Sequence, residues 1–197
     1  MKKSNIIIII IVLVVAAAAG YFIGKGSNGG VPVNGAGLKG AGSGGVSPAV
    51  LQGSEDLEMI NSLKAKIEKN PNDAESLAFL GDIYFELRQF RDAIGYYKRA
   101  IKANPKDVDS YNDLGLANHY GGDSKEGLRV VEEGIKVDPL FPRIWLTKGF
   151  ILAATGNITD AREAWRKVIA IDPDSGVGKA ASSFLAEYKD ESAEQAR

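Results

Sequence analysis

From residue 54 onward, apolar residues recur at i, i+3, i+4 and i+7, the spacing of one helix face, and prolines punctuate them at a constant interval. Pro71, Pro105, Pro139 and Pro173 stand 34 residues apart, each directly after Asn or Asp. A period of that size predicts a solenoid of two-helix units, with the Asn-Pro or Asp-Pro step ending every second helix. Three full repeats are expected without insertions, 74–107, 108–141 and 142–175. Turn chemistry falls between the paired helices, at Gly121-Gly122-Asp123 and Gly156-Asn157. Leu57, Ile60, Leu63 and Ile67 predict a lone helix over Glu55–Lys69, covering the first repeat. Val177, Ala180, Ala181, Phe184, Leu185 and Tyr188 predict a capping helix within 176–190. Eight helices in one all-α, right-handed superhelical domain over 54–190 result, with residues 191–197 as a frayed tail.

Residue size repeats with the same period. Leu77, Leu80, Gly81, Tyr84, Ala93, Tyr97, Ala100 and Pro105 occupy positions 4, 7, 8, 11, 20, 24, 27 and 32 of the first repeat. The second repeat has Tyr111, Leu114, Gly115, Asn118, Gly127, Val131, Gly134 and Pro139 there, and the third has Trp145, Lys148, Gly149, Leu152, Ala161, Trp165, Val168 and Pro173. Large residues at 4, 7, 11 and 24, small ones at 8, 20 and 27 and Pro at 32 resemble the tetratricopeptide repeat (TPR) family over 102 residues. Small residues let the paired helices approach, and each buried large one stabilises by about 1.5–3 kcal/mol. Asn118 and Lys148 depart from the pattern, which makes the middle of the array its expected soft part.

Ahead of the repeats the periodicity vanishes. Ile6–Gly24 is an uncharged run of 19 residues, enough for a helix of roughly 28 Å, close to the hydrocarbon thickness of a bilayer. Residues 1–24 are therefore expected to anchor the chain in a membrane. A cleavable signal peptide is the alternative, since Lys2-Lys3, a ten-residue apolar stretch and Ala17-Ala18-Ala19 are its parts. Gly20 and Gly24 form a G-x-x-x-G pair, read here as small residues near a helix end. Lys2 and Lys3 place the short tail in the cytoplasm and the repeats outside it, in the periplasm or cell exterior of a single-pass inner-membrane protein. Residues 25–53, with ten Gly in 29 positions, read as a flexible tether reaching roughly 27–32 Å. Gly24–Gly29 matches G-x-G-x-x-G, but with an apolar helix before it and glycine-rich coil after it, dinucleotide binding is rejected.

Composition narrows the chemistry. There is no Cys and one His, so disulfides, thiolate nucleophiles and most metal constellations are excluded, and no metal or other cofactor is expected. Residues 54–197 carry 20 Lys and Arg against 25 Asp and Glu, a net of −5 that disfavours nucleic acid. His119, near Asp113, lacks a second nitrogen ligand and a nucleophile, so it reads as a polar surface residue. The sequon Asn157-Ile158-Thr159 matters only in a eukaryotic secretory route.

The TPR resemblance implies that first helices line a concave groove. By position this groove holds Phe79, Asp82, Phe85, Asn112, Asp113, Leu116, His119, Tyr120, Arg143 and Phe150. Aromatic residues beside acids imply a protein partner, an amphipathic segment with apolar anchors and positive charge. The family's carboxylate clamp is not matched: Ala78, Asp82, Asp113, Arg143 and Thr147 fill its positions, and only Arg143 fits. The expected function is thus a membrane-anchored, non-enzymatic scaffold. A narrower alternative is an assembly factor that holds apocytochrome, since the element order and the segment Leu63–Ala74 resemble the TPR subunits of bacterial cytochrome c maturation systems. An enzyme using Asp82, Glu86 and Asp113 is the contrasting class, and it is disfavoured because these acids are expected at solvent-facing positions where no apolar pocket raises their pKa.

Overall fold

The computed structural model describes residues 54–188. Among them are eight helices and no strand: α1 (Ser54–Lys69), α2 (Ala74–Glu86), α3 (Phe90–Ala103), α4 (Val108–Tyr120), α5 (Ser124–Val137), α6 (Pro142–Ala154), α7 (Ile158–Ile171) and α8 (Gly176–Glu187). The expected anchor of 1–24, the expected tether of 25–53 and the expected tail of 191–197 lie outside the described residues. Among those described, no helix is long and apolar enough to cross a membrane.

Helix boundaries follow local chemistry. The Asp73 carboxylate accepts from Ser76 N at 3.2 Å, Asp123 from Glu126 N at 2.9 Å, Asn157 from Asp160 N at 3.3 Å and the Ser175 hydroxyl from Gly178 N at 3.0 Å. α6 begins instead on Pro142, which needs no N–H partner in the first turn. α3, α5 and α7 stop at Asn104, Asp138 and Asp172, each followed by proline. The paired helices turn through a left-handed residue, Gly122 (φ 97°) and Gly156 (φ 89°) in two repeats but Arg88 (φ 58°) in the first.

Pairing depends on small residues facing large ones. A methyl group on Gly81 would stand 2.5 Å from Tyr97 Cε1, and one on Gly149 would strike the Trp165 indole, so both rings lie directly on backbone. The buried core forms four adjoining clusters, from Leu63, Ile67, Leu77 and Leu80, through Tyr97, then Val131 and Ile151, to Trp165 and Phe184, with the partly buried Tyr84, Tyr111 and Trp145 each packed against two of them. At the far end Arg162 on α7 donates Nη1 to Leu185 O at 3.0 Å and to Tyr188 O, tying down the last turn of α8. The two departures from pattern find partners: Asn118 Nδ2 donates to Leu114 O at 2.8 Å, while Lys148 Nζ stands 3.2 Å from Glu132 Oε1 and 5.6 Å from the Trp145 ring centre. Successive first helices pack on each other, α2 on α4, α4 on α6 and α6 on α8, whereas α3, α5 and α7 pack mainly between them. That asymmetry puts the first helices on the inner side of the curve.

Candidate functional site

On the inner layer the structure separates the predicted residues into two neighbouring groups. The first is polar. Tyr97, lying across Gly81, carries its hydroxyl to Asp82, donating to Oδ1 at 2.8 Å. Asp113 Oδ1, on α4, accepts from Asn112 Nδ2 at 2.9 Å and from Arg143 Nη2 at 2.7 Å, while Arg143 Nη1 reaches Asp109 Oδ1 at 2.9 Å. Two carboxylates thus share one guanidinium, and Asp82 lies near enough to feel its charge. Asp82 is 7%, Asn112 0% and Asp113 9% exposed, and Asp82 Oδ2 and Asn112 Oδ1 have no hydrogen-bond partner.

These environments overturn the expectation of solvent-facing acids. The periodic reading puts Asp82 and Asp113 on the groove face, but α3 and α6 carry Tyr97 and Arg143 over that face and exclude water. Burial, and next the nearby Asp113, push the Asp82 carboxyl up to about 8. Burial likewise raises Asp109, against the pull of Arg143, and raises Glu86. The Tyr97 hydroxyl is held well above its ordinary value, first by burial and then by Asp113 and Asp82. A free acidic surface that salt would screen is therefore largely missing here. Arg143, the one match to a carboxylate clamp, is already engaged.

The second group is aromatic. Phe85 of α2 meets Phe90 of α3 edge-on at 5.5 Å and Tyr120 of α4 at 5.7 Å, and Phe90 stacks on Tyr120 at 5.7 Å. His119 meets Tyr120 at 5.2 Å and Phe150 of α6 at 5.3 Å, its Nδ1 lying 2.9 Å from Ser124 Oγ. Burial lowers the His119 pKa and raises that of Tyr120. The result is a continuous, partly open aromatic shelf contributed by four helices of three repeats. Leu116 packs, partly buried, against the core cluster that contains Phe150. Phe79 is half-buried against a different core cluster, the one that contains Leu63, Leu77 and Leu80. His119 is thus a packing residue of the shelf, and among the described residues no group of three or more His, Asp or Glu is arranged to hold a metal.

Positional reasoning missed Phe90, Tyr97 and Arg88. Tyr97 was visible as a large residue at position 24, but not as the donor to Asp82. Phe90 opens a second helix, outside the groove register, and only the short turn through Arg88 returns it to the inner face. The Arg88 guanidinium then lies 5.5 Å from the Phe90 ring centre.

A family model described as TPR repeat matches residues 81–121, and one described as tetratricopeptide repeat matches residues 120–176. The chain carries tetratricopeptide repeats over these residues. Hsp70-Hsp90 organizing protein 2 of Arabidopsis thaliana is 29% identical to this TPR chain over 106 residues, which cover 54% of this chain and 19% of the relative. The chain thus spans about a fifth of that relative's length. The crystal structure of MamA matches the fold with a TM-score of 0.55 at 20% identity, covering 70% of this chain and 88% of MamA. The first TPR of Spaghetti (RPAP3), bound to an HSP90 peptide, has a TM-score of 0.51 at 14% identity, covering 58% and 91% of the two chains.

Proposed function

We propose that the TPR domain is an interaction scaffold that holds an amphipathic segment of a partner protein against its inner face, tethered to a membrane through Ile6–Gly24 and facing away from the cytoplasm. The observation that carries this reading is the aromatic shelf. Rings from Phe85, Phe90, His119 and Tyr120 are partly open and are joined to the buried Phe150 across three consecutive repeats, a surface suited to apolar anchors. A relative named as an organizing protein for two chaperones and a TPR fold seen with a bound peptide support an adaptor role. The test captures a partner with the full chain in detergent and measures its affinity by calorimetry. Phe85→Ala or Tyr120→Ala should each cost about 2 kcal/mol of binding, with outer-face Arg99→Ala as control. Equal losses from inner and outer variants would place the site elsewhere. A phosphatase fusion after Arg197 tests topology: activity is expected, and an inactive fusion whose fluorescent counterpart glows would put the domain in the cytoplasm.

A further inference from the structure

The second helices of the repeats open at one end of the stack, and the aromatic shelf lies at that end. Phe90, the first residue of α3, is one of its rings, and Ser124, the first residue of α5, meets His119 Nδ1 at 2.9 Å. α1 precedes Asn70-Pro71 as α3 precedes Asn104-Pro105, so it fills the second-helix place of a preceding repeat. In that 34-residue register the counterpart of Phe90 is position 56, in the first turn of α1. Lys64, well inside α1, lies over Tyr84 near the C-terminal end of α2, so the start of α1 runs past that end. Residue 53 therefore joins the domain at the shelf's end of the stack, one repeat step from Phe90. Two large apolar side chains are open at the same end, Leu57 at 63% and Leu87 at 39% exposure.

We propose that the chain's own segment Val46–Leu51 covers the shelf in the absence of a partner. The inference rests on the inner-face reading above and adds a regulation to it. From Gly40 to Gly53 the sequence has no charge, and its large apolar residues, Val46, Val50 and Leu51, fall within six positions. The shelf matches that chemistry: burial lowers the His119 pKa, so its rings are uncharged at neutral pH. Pro48 favours extended backbone, the form in which a short segment lays side chains along an aromatic surface.

Reach decides whether the segment can arrive. Adjacent helices pack about 8–10 Å apart, and the link from Leu51 through Gln52 and Gly53 to Ser54 spans roughly 10 Å when extended. Leu51 can thus be set beside Phe90. The five residues back to Val46 add roughly 17 Å, enough to pass the Phe90, Tyr120 and His119 rings, whose centres are 5.7 and 5.2 Å apart. Covalent attachment supplies an effective concentration of about 1 mM. If the free segment binds at roughly 0.1–0.5 mM, a partner meets an open shelf only about a tenth to a third of the time and binds about three- to tenfold more weakly.

The test uses the full chain in lipid nanodiscs, where no detergent competes for the shelf, isotope-labelled at histidine. His119 is the one histidine of the chain, so its ring gives a single NMR signal from within the shelf. Val50→Asp combined with Leu51→Asp should shift that signal, whereas Val31→Asp combined with Val33→Asp, the same change farther upstream, should not. Adding a synthetic peptide of residues 44–53 to the first variant should return the signal toward its parent position. A peptide selected from a phage-displayed library on the first variant should bind the parent about three- to tenfold more weakly by calorimetry. An identical His119 signal in the parent and both variants would overturn the self-docking. So would equal affinity of parent and variant for a peptide that Phe85→Ala still weakens, and the scaffold reading would then stand. A parent signal that moves on dilution would give the shelf to a second copy of the chain and overturn the self-docking too. Affinity unchanged by both Phe85→Ala and Tyr120→Ala would overturn both readings.

Discussion

Replacing Asp82 by Asn should stabilise the protein, and the gain should grow with pH. A carboxyl raised in the folded state behaves oppositely to a salt-bridged one: the folded protein holds the proton more tightly than the unfolded chain does. Below about pH 4 both states are protonated and Asp82 costs nothing. Between that point and about 8 the unfolded chain has released its proton and the folded one has not, so stability falls as pH rises, levelling off above 8. The displacement from 3.8 to about 8 is roughly four pH units, and at about 1.4 kcal/mol per unit the ceiling is about 6 kcal/mol. A side chain that relaxes toward water recovers part of this, and the expected loss is about 2–4 kcal/mol. Asn keeps the acceptor for Tyr97 and carries no charge, and it also relieves the repulsion felt by Asp113 and Asp109. Urea unfolding of parent and variant at pH 5, 7 and 9 measures the difference directly. Equal stability of the two at pH 9, or a gap that shrinks from pH 5 to 9, would refute the assignment of a buried, raised carboxyl.

Gly81→Ala should cost about 1–3 kcal/mol because its methyl group meets Tyr97, whereas Gly95→Ala, with nothing within 4 Å, should raise stability by about 0.5–1 kcal/mol in the same melts. Arg88→Gly should gain up to about 1 kcal/mol by removing a left-handed non-glycine residue, and a loss of stability in thermal melts would show that its contact with Phe90 outweighs the strain. Arg143→Ala should cost about 2–3 kcal/mol, since it strands Asp113 and Asp109 while its own side chain is partly open. Adding Asp109→Asn to that variant should recover part of the loss.

Much of the fold is legible because the pattern is redundant. Gly81, Gly115 and Gly149 recur under Tyr97, Val131 and Trp165, and size, spacing and turn residues all imply the same pairing. The site was legible only as a set of positions. Helical periodicity says which face Asp82 occupies but not what crosses above it. Burial there depends on Tyr97 from the adjoining helix and on Arg143, which reaches Asp109 from 34 residues along the chain. Phe90 escaped because its place on the inner face depends on how tightly one turn closes, a property of backbone angles at Arg88. Lys148 looked like a flaw at an interior position, yet its ammonium lies over Trp145 and reaches Glu132.

The layer of touching first helices also has a mechanical meaning. A stack whose inner edge is continuous and whose outer edge is held only through neighbours flexes like a spring, opening or tightening one repeat against the next. The aromatic shelf crosses two of those joints, between α2 and α4 and between α4 and α6. A ligand lying along it would act as a splint, resisting bending at both joints at once. Stiffness, and with it the slow exchange of amide hydrogens in α4, should then rise with occupancy even where no contact is made. Recognition by this surface would be felt as tension along the spring, a signal that could travel to whatever holds its ends.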